Sequence, residues 1–239
     1  ARNSTFPDFM IAVQTLVHCL CNGCDGGDAS TVYAYVAQNG IGPDTCQNYV
    51  AKGSGSECTA LHKCENCVPS SAGSDTSSSA SSASGPNGGC YAITNYPLFT
   101  VSEHGRVLGV DQMKAEIYAR GPIACYIDAG PVYDWGFGEN RTQVFTDGAG
   151  QTVIDHVISV VGFGYDATQK VDYWIIRNSW GEYWGELGYF RLKMGDNQLG
   201  IESTSCAWAV PHIPQLQKFY GGQQFIPALN TSQSTISRV

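Results

Sequence analysis

The chain has 239 residues and 43% apolar composition, enough to bury a sizeable core as one large domain or two small ones. A net charge of −8 and an isoelectric point near 4.9 give it no electrostatic reason to bind nucleic acid or an anionic membrane surface. No apolar run approaches the roughly 18 residues that a membrane span needs.

Asp8 to His18 reads as a helix, with Asp8 as N-cap and Phe9, Ala12, Val13, Leu16 and Val17 on one face. A loop with Cys19, Cys21 and Cys24 follows and closes in Asp25-Gly26-Gly27. Asp28 caps a second helix that turns Val32, Tyr35 and Val36 inward and stops at Gly40. Residues 41–93 read as cysteine-rich loop. Within them Ser70 to Gly89 is almost all Ser, Ala and Gly, a composition that buries too little apolar surface to order itself, so a flexible surface insert is expected.

Asp111 to Arg120 is predicted as a third helix, capped by Asp111 and ended by Gly121-Pro122. Strands then dominate: Ile123–Ile127, His156–Val161, Tyr173–Ile176 and Tyr189–Leu192. Helices first and strands afterwards argue for an α+β fold with two unlike halves. The expected division is a helical, disulfide-rich half over 1–91, a strand-rich half over 92–208, and a polar extension over 209–239.

Two segments carry chemistry. Asp155-His156 opens a buried-strand pattern that ends in Gly162-Phe163-Gly164, and Tyr173 to Arg177 runs into Asn178-Ser179-Trp180-Gly181, with Trp184-Gly185 behind it. A His and an Asn on successive strands suit nucleophilic catalysis, because the carboxamide can orient the imidazole and fix its tautomer. Ten cysteines with Asn-x-Ser/Thr at Asn3, Asn140 and Asn230 point to a glycosylated protein of the lysosome or the secreted space. Ala1 opens no signal-peptide pattern, so any targeting segment is expected to have been removed or to lie outside these residues.

These motifs, with Cys24-Asp25-Gly26-Gly27, resemble papain-family cysteine peptidases from about Phe6 to Trp208. The segments Asn39-Gly40-Ile41, Thr45-Cys46-Gln47-Asn48-Tyr49 and Gly121-Pro122-Ile123-Ala124-Cys125, the cluster Cys58, Cys64, Cys67 and Cys90, and the late Cys206 are most similar to the cathepsin X (Z) branch. The resemblance implies a papain-like two-domain fold, a helical left half and a β-barrel-like right half, incomplete at its N-terminal side. It further implies hydrolysis of peptide bonds, with carboxypeptidase action specific to that branch. By the same resemblance His156 is the catalytic histidine and Asn178 its orienting partner. Trp180 covers their hydrogen bond, Trp184 walls the leaving-group side, and Gly26 and Gly27 form the substrate-binding edge.

The resemblance also pairs Cys19 with Cys46 and Cys125 with Cys206, and closes two bridges among Cys58, Cys64, Cys67 and Cys90. Cys24 is then left for a cysteine on a companion N-terminal segment or in a larger assembly, with Cys21 free, unless Cys21 and Cys24 bridge locally. A zinc reading of His62, Cys64, Cys67 and Cys90 is the minor one beside disulfides, so no metal or other cofactor is expected.

The family's Cys-Gly-Ser-Cys-Trp nucleophile motif does not occur in the sequence. Cys19, Cys21 and Cys24 lie at a tempting spacing before His156, and Gln14 imitates an oxyanion-hole glutamine. The nucleophile, however, must begin a helix whose dipole stabilises a thiolate, whereas Cys19 ends one and Cys24 runs into glycines. The chain is therefore expected to begin just downstream of its catalytic cysteine. The competing expectation is an inactive homologue that serves as a structural or binding module.

Overall fold

A computed structural model describes residues 9–20, 22–68, 89–146 and 153–212. Asp8, Cys21, Asn3, Asn230 and all of the Ser-rich insert except Gly89 lie outside the described residues, as does the chain after His212.

The first helix, α1, spans Val13–Cys19 and so starts later than expected. Residues 10–12 are held extended against the 42–44 loop instead: Ala12 N–H donates to the Gly42 carbonyl, Asp44 N–H to the Met10 carbonyl, and Ile11 bridges Pro43. Backbone groups already committed there cannot join a helical ladder. The second helix, α2 (Ala29–Asn39), matches its reading. Asp28 accepts from the Thr31 amide at 2.9 Å, and Gly40 leaves the helix at φ +69°, a conformation that costs glycine little. Ala12, Val36, Ile41 and Phe99 form a small apolar cluster with Leu16, Val32 and Tyr35 packed on it.

Two short antiparallel strands, β1 (Glu65–Val68) and β2 (Gly89–Ala92), lie in the stretch read as loop. After β3 (Thr100–Val107), the helix α3 runs Gly109–Arg120. Its N-cap is Leu108, whose amide is satisfied by the Gln112 side chain at 3.1 Å. Asp111 therefore sits in the first turn, where its charge suits the helix dipole, and does not cap.

Next come β4 (Ile123–Ile127), the one-turn α4 (Gly130–Tyr133), β5 (Val144–Phe145), β6 (His156–Asp166), β7 (Val171–Arg177), β8 (Tyr189–Lys193) and β9 (Cys206–His212). They form a seven-stranded sheet in the order β3-β9-β4-β6-β7-β8-β5, antiparallel except for β5 against β8. The sequence reading missed β3, β5 and β9. Ala209 to His212 are strand residues paired with β3, so the polar extension does not begin at 209. The larger core lies on this sheet, with Trp174, Trp184, Phe190, Ile127 and Ile176 fully buried.

Cys125–Cys206, both fully buried, ties β4 to β9 as expected. Cys19 bonds Cys58 rather than Cys46, and Cys46 bonds Cys64, leaving Cys67–Cys90 as the one bridge inside the expected cluster. The local backbone explains this correction: Glu57 N–H donates to the His18 carbonyl, which sets Cys58 beside Cys19 with Cα atoms 4.5 Å apart. Because Cys64, Cys67 and Cys90 are all disulfide-bonded, they offer no thiolate for the zinc reading. His62 packs instead on His18, ring centroids 4.4 Å apart.

Candidate active site

His156 is the first residue of β6 and Asn178 follows the last residue of the neighbouring β7. Ser159 pairs with Arg177, which brings the start of one strand beside the end of the other. Asn178 is then anchored on both sides. Its own amide donates to the Gly188 carbonyl at 2.9 Å, and its Oδ1 accepts from the Ser179 amide at 2.8 Å.

That second bond orients the carboxamide, since a backbone N–H can only donate. The same Oδ1 lies 2.8 Å from His156 Nε2. Nε2 therefore carries the proton, and Nδ1 is the nitrogen left to take one from a reacting group. Asn178 is only 9% exposed, and its Nδ2 is buried without an acceptor among the described residues.

Trp180 stacks on the His156 ring, centroids 4.9 Å apart with an interplanar angle of 25°. Trp184 supports Trp180 edge-on at 5.0 Å. It is fully buried and donates its indole N–H to the Tyr133 carbonyl at 3.2 Å, so it packs in the core beneath Trp180. Trp180 rather than Trp184 is among the residues that line the pocket at His156. Gly136 makes room for Trp184, because a β-carbon there would fall inside the indole.

An open pocket of about 330 Å³ is lined by Ala129, Gly130, Tyr133, Asp155, His156 and Trp180. Asp155 Oδ1 accepts from the Ala129 amide and Asp128 Oδ1 from the Gly130 amide, fixing the part of the lining that Ala129 and Gly130 supply. Tyr133 was not singled out in the sequence. Its exposure beside Trp180 is a tertiary consequence with no local signature.

Gly26 and Gly27 are both exposed, and Gly26 adopts φ +98° with open space where a side chain would be. Immediately after them, Asp28 reaches across to the sheet. Tyr126 of β4 donates its hydroxyl to Asp28 Oδ2 at 2.6 Å and accepts the Ala29 amide at 2.9 Å. Arg106 adds a contact to Asp28 at 3.3 Å. Ile127, the next residue of β4, pairs with His156. The glycine edge and the histidine are thus linked through one strand. Sequence reading gave Asp28 only a capping role and passed over Tyr126, which a strand pattern presents as one more alternating residue.

Among the described residues, no cysteine candidate lines the pocket. Cys19 is in its disulfide, Cys24 is an exposed free thiol, and Cys21 lies outside the described residues. Gln14 is fully buried. It donates to the Lys52 carbonyl at 2.6 Å, accepts from the Val50 amide at 2.9 Å and contacts His18 at 3.1 Å, which commits it to a loop rather than to an oxyanion. Asn140 is exposed, with its Oδ1 accepting from Gln143.

Residues 3–209 match the family described as Papain family cysteine protease. The chain is 35% identical over 218 residues to Cathepsin Z of Onchocerca volvulus, covering 88% of this chain but 63% of that relative, so it spans less than two thirds of its length. Among solved structures it is similar to digestive procathepsin L2 of Tenebrio molitor (TM-score 0.60, 22% identity, 85% of this chain and 54% of that one). It is equally similar to bromelain protease of Ananas comosus in complex with the E64 inhibitor (TM-score 0.60, 19% identity, 87% and 81%). The fold is therefore papain-like and α+β, and the chain belongs to the papain family of cysteine proteases.

Proposed function

We propose that this chain is the larger part of a cysteine peptidase in which His156 and Asn178 serve a thiolate carried on a segment outside these residues. The observation that carries the reading is the 2.8 Å bond between His156 Nε2 and an Asn178 carboxamide whose orientation a second bond fixes. With Nε2 engaged, Nδ1 takes the thiol proton, and the resulting imidazolium holds the thiolate as an ion pair. The thiolate attacks the scissile carbonyl, the imidazolium protonates the leaving amine, and His156 then activates water to release the acyl group. Gly26 and Gly27 let the substrate backbone approach in extended form, where a β-carbon would stand in its way.

Two further observations support a companion segment. Cys24, beside the glycine edge, is exposed and unpaired in a chain whose other described cysteines are all bonded. Asn178 Nδ2 is a buried donor, and buried donors are normally satisfied. Removal of residues from peptide C-termini follows from the sequence resemblance. Disulfides and the exposed Asn140 sequon favour a lysosomal or secreted glycoprotein.

The second reading, an inactive papain-like homologue acting as a binding module, is favoured by one observation: no cysteine lines the His156 pocket among the described residues. Expression with the preceding coding segment and a peptide-hydrolysis assay separates the two. The peptidase reading expects turnover that His156→Ala abolishes and Asn178→Ala weakens less. Turnover absent from a folded protein with an upstream Cys-Gly-x-Cys-Trp motif establishes the inactive reading.

A further inference from the structure

Gln14, His18 and the 50–57 loop form a polar cluster that shares no residue with the His156 pocket. Gln14 is fully buried, and two backbone groups fix which way its carboxamide faces. Its Oε1 accepts from the Val50 amide at 2.9 Å, and its Nε2 donates to the Lys52 carbonyl at 2.6 Å. A backbone N–H only donates and a carbonyl only accepts, so the oxygen and nitrogen of Gln14 cannot be exchanged. Nε2 therefore presents its second N–H to His18 Nε2, 3.1 Å away. His18 accepts there, and its one proton sits on Nδ1.

The His18 side chain is 12% exposed, and Glu57 Oε2 lies 4.0 Å from its Nδ1. That nitrogen is buried with no hydrogen-bond partner among the described residues. His18, Glu57 and His62 bring their ligand atoms within 4.8 Å of one another, as a metal site would. A nitrogen that carries hydrogen has no lone pair for a cation, however, and the Gln14 bond puts the hydrogen on Nδ1.

The cluster responds to a proton instead. A second proton on His18 goes to Nε2, where it sets a donor against the Gln14 donor. Gln14 must then leave the ring, or turn and give up Val50 or Lys52. Glu57 and the more distant Glu65 of β1 favour the charged ring, whereas burial and His62, its ring centroid 4.4 Å away, oppose it. Burial and His62 prevail and hold His18 below the usual histidine range.

The loop held in this way carries weight elsewhere. Gly53 lies against Val17 and His18 of α1, and Glu57 N–H donates to the His18 carbonyl. On its other side the loop backbone touches Gly23, where an added β-carbon would stand 2.1 Å from the Gly53 carbonyl oxygen. Gly23 belongs to the turn closed by the Asn22 and Gly26 backbones, which leads through Cys24 into Gly26-Gly27.

We infer that Gln14 and His18 form a proton-released clamp, which holds the 50–57 loop on α1 and braces the 22–27 loop while His18 is neutral, and frees both when His18 is protonated. Because the folded loop favours the neutral ring, its stability is full above about pH 6.5 and falls as pH drops from there towards the folded value. The bearing of the clamp on substrate rests on the peptidase reading, since Gly26-Gly27 is the edge proposed to bind it. The clamp itself does not.

The test uses the protein expressed with its preceding segment and hydrogen–deuterium exchange at about pH 7.5 and about pH 5. Protection of 50–57 and of 22–27 is divided by that of β4, which cancels the intrinsic pH dependence of exchange. Both ratios are expected to fall about fivefold in acid, the worth of one net hydrogen bond. They are expected to stay level in His18→Gln, whose carboxamide can accept from Gln14 and takes no proton. Ratios that hold in the unmodified protein, or fall as far in His18→Gln, overturn the clamp, and a fall in 50–57 alone overturns the brace.

Nitrogen-15 shifts of the His18 ring at the higher pH decide the matter without a variant: the Nδ1–H form supports the clamp and the Nε2–H form overturns it. Zinc ion that raises the protection of 50–57 also overturns it, because a cation on Nδ1 needs the opposite tautomer. No readout uses turnover, so each result stands apart from the fate of the peptidase reading.

Discussion

Tyr126→Phe removes one oxygen and tests whether the clasp between the glycine edge and the sheet holds the two together. The hydroxyl makes two bonds, one to the Asp28 carboxylate at 2.6 Å and one from the Ala29 amide at 2.9 Å. Bonds to a charged partner contribute about 1.5–3 kcal/mol, and neutral ones about 1 kcal/mol. Asp28 is 39% exposed, so water replaces much of what it loses and the charged bond counts for less than that range. The Ala29 amide is part-buried in the first turn of α2, where an acceptor is harder to replace. The expected loss is about 1–2 kcal/mol in urea unfolding with disulfides intact. A double-mutant cycle with Asp28→Ala should give a coupling of about 1 kcal/mol. Additive losses would mean that Asp28 acts only as the cap of α2, and the clasp argument would fail.

The clasp also has a pH signature. Burial pushes the Asp28 carboxyl up, but hydrogen bonds from Tyr126 and the Thr31 amide, with the Arg106 charge, hold it below its usual range. A depressed folded value gives stability that is present above about pH 4 and lost as pH falls through that folded value, so the penalty of Tyr126→Phe should shrink in acid. At the other end, burial and the Asp28 bond push the Tyr126 phenol up to about 12. The unfolded chain then ionises first, and stability should decline as pH rises from about 10 to 12; an alkaline limb identical in Tyr126→Phe would contradict this. Gly136→Ala should cost about 3 kcal/mol or more by thermal unfolding, because its β-carbon would sit in the Trp184 indole. Cys125→Ala/Cys206→Ala should cost about 4–5 kcal/mol on the chain-entropy account of an 81-residue separation, read in the same scans. Non-reducing peptide mapping of protein carrying its preceding segment should recover Cys24 bonded to a cysteine of that segment, and a free Cys24 there would remove one support of the companion.

What could be read without coordinates was local or motif-borne. The Asp28 cap, the Gly40 stop and β4 depend on residues adjacent in the chain, and the His156 and Asn178 segments are distinctive strings. What could not be read was set by distant partners. Residues 10–12 leave the helix pattern because the 42–44 loop takes their backbone groups, and the exposed, polar β3 exists because β9 pairs with it. Cys19 chose Cys58 through a backbone bond between residues 57 and 18 that no spacing rule reveals. Trp184 shows the same limit at the site: its motif announces importance, while only packing shows that its work is done from below.

The role proposed for His156 and Asn178 is that of the proton-transfer half of a thiol peptidase. Its most direct test is active-site labelling with an epoxysuccinyl reagent, located by peptide mapping, on protein that includes the segment preceding Ala1. The expected result is a single labelled cysteine in that segment, labelling that His156→Ala suppresses, and no label on Cys24. A label on Cys24, or equal labelling with and without His156, would contradict it.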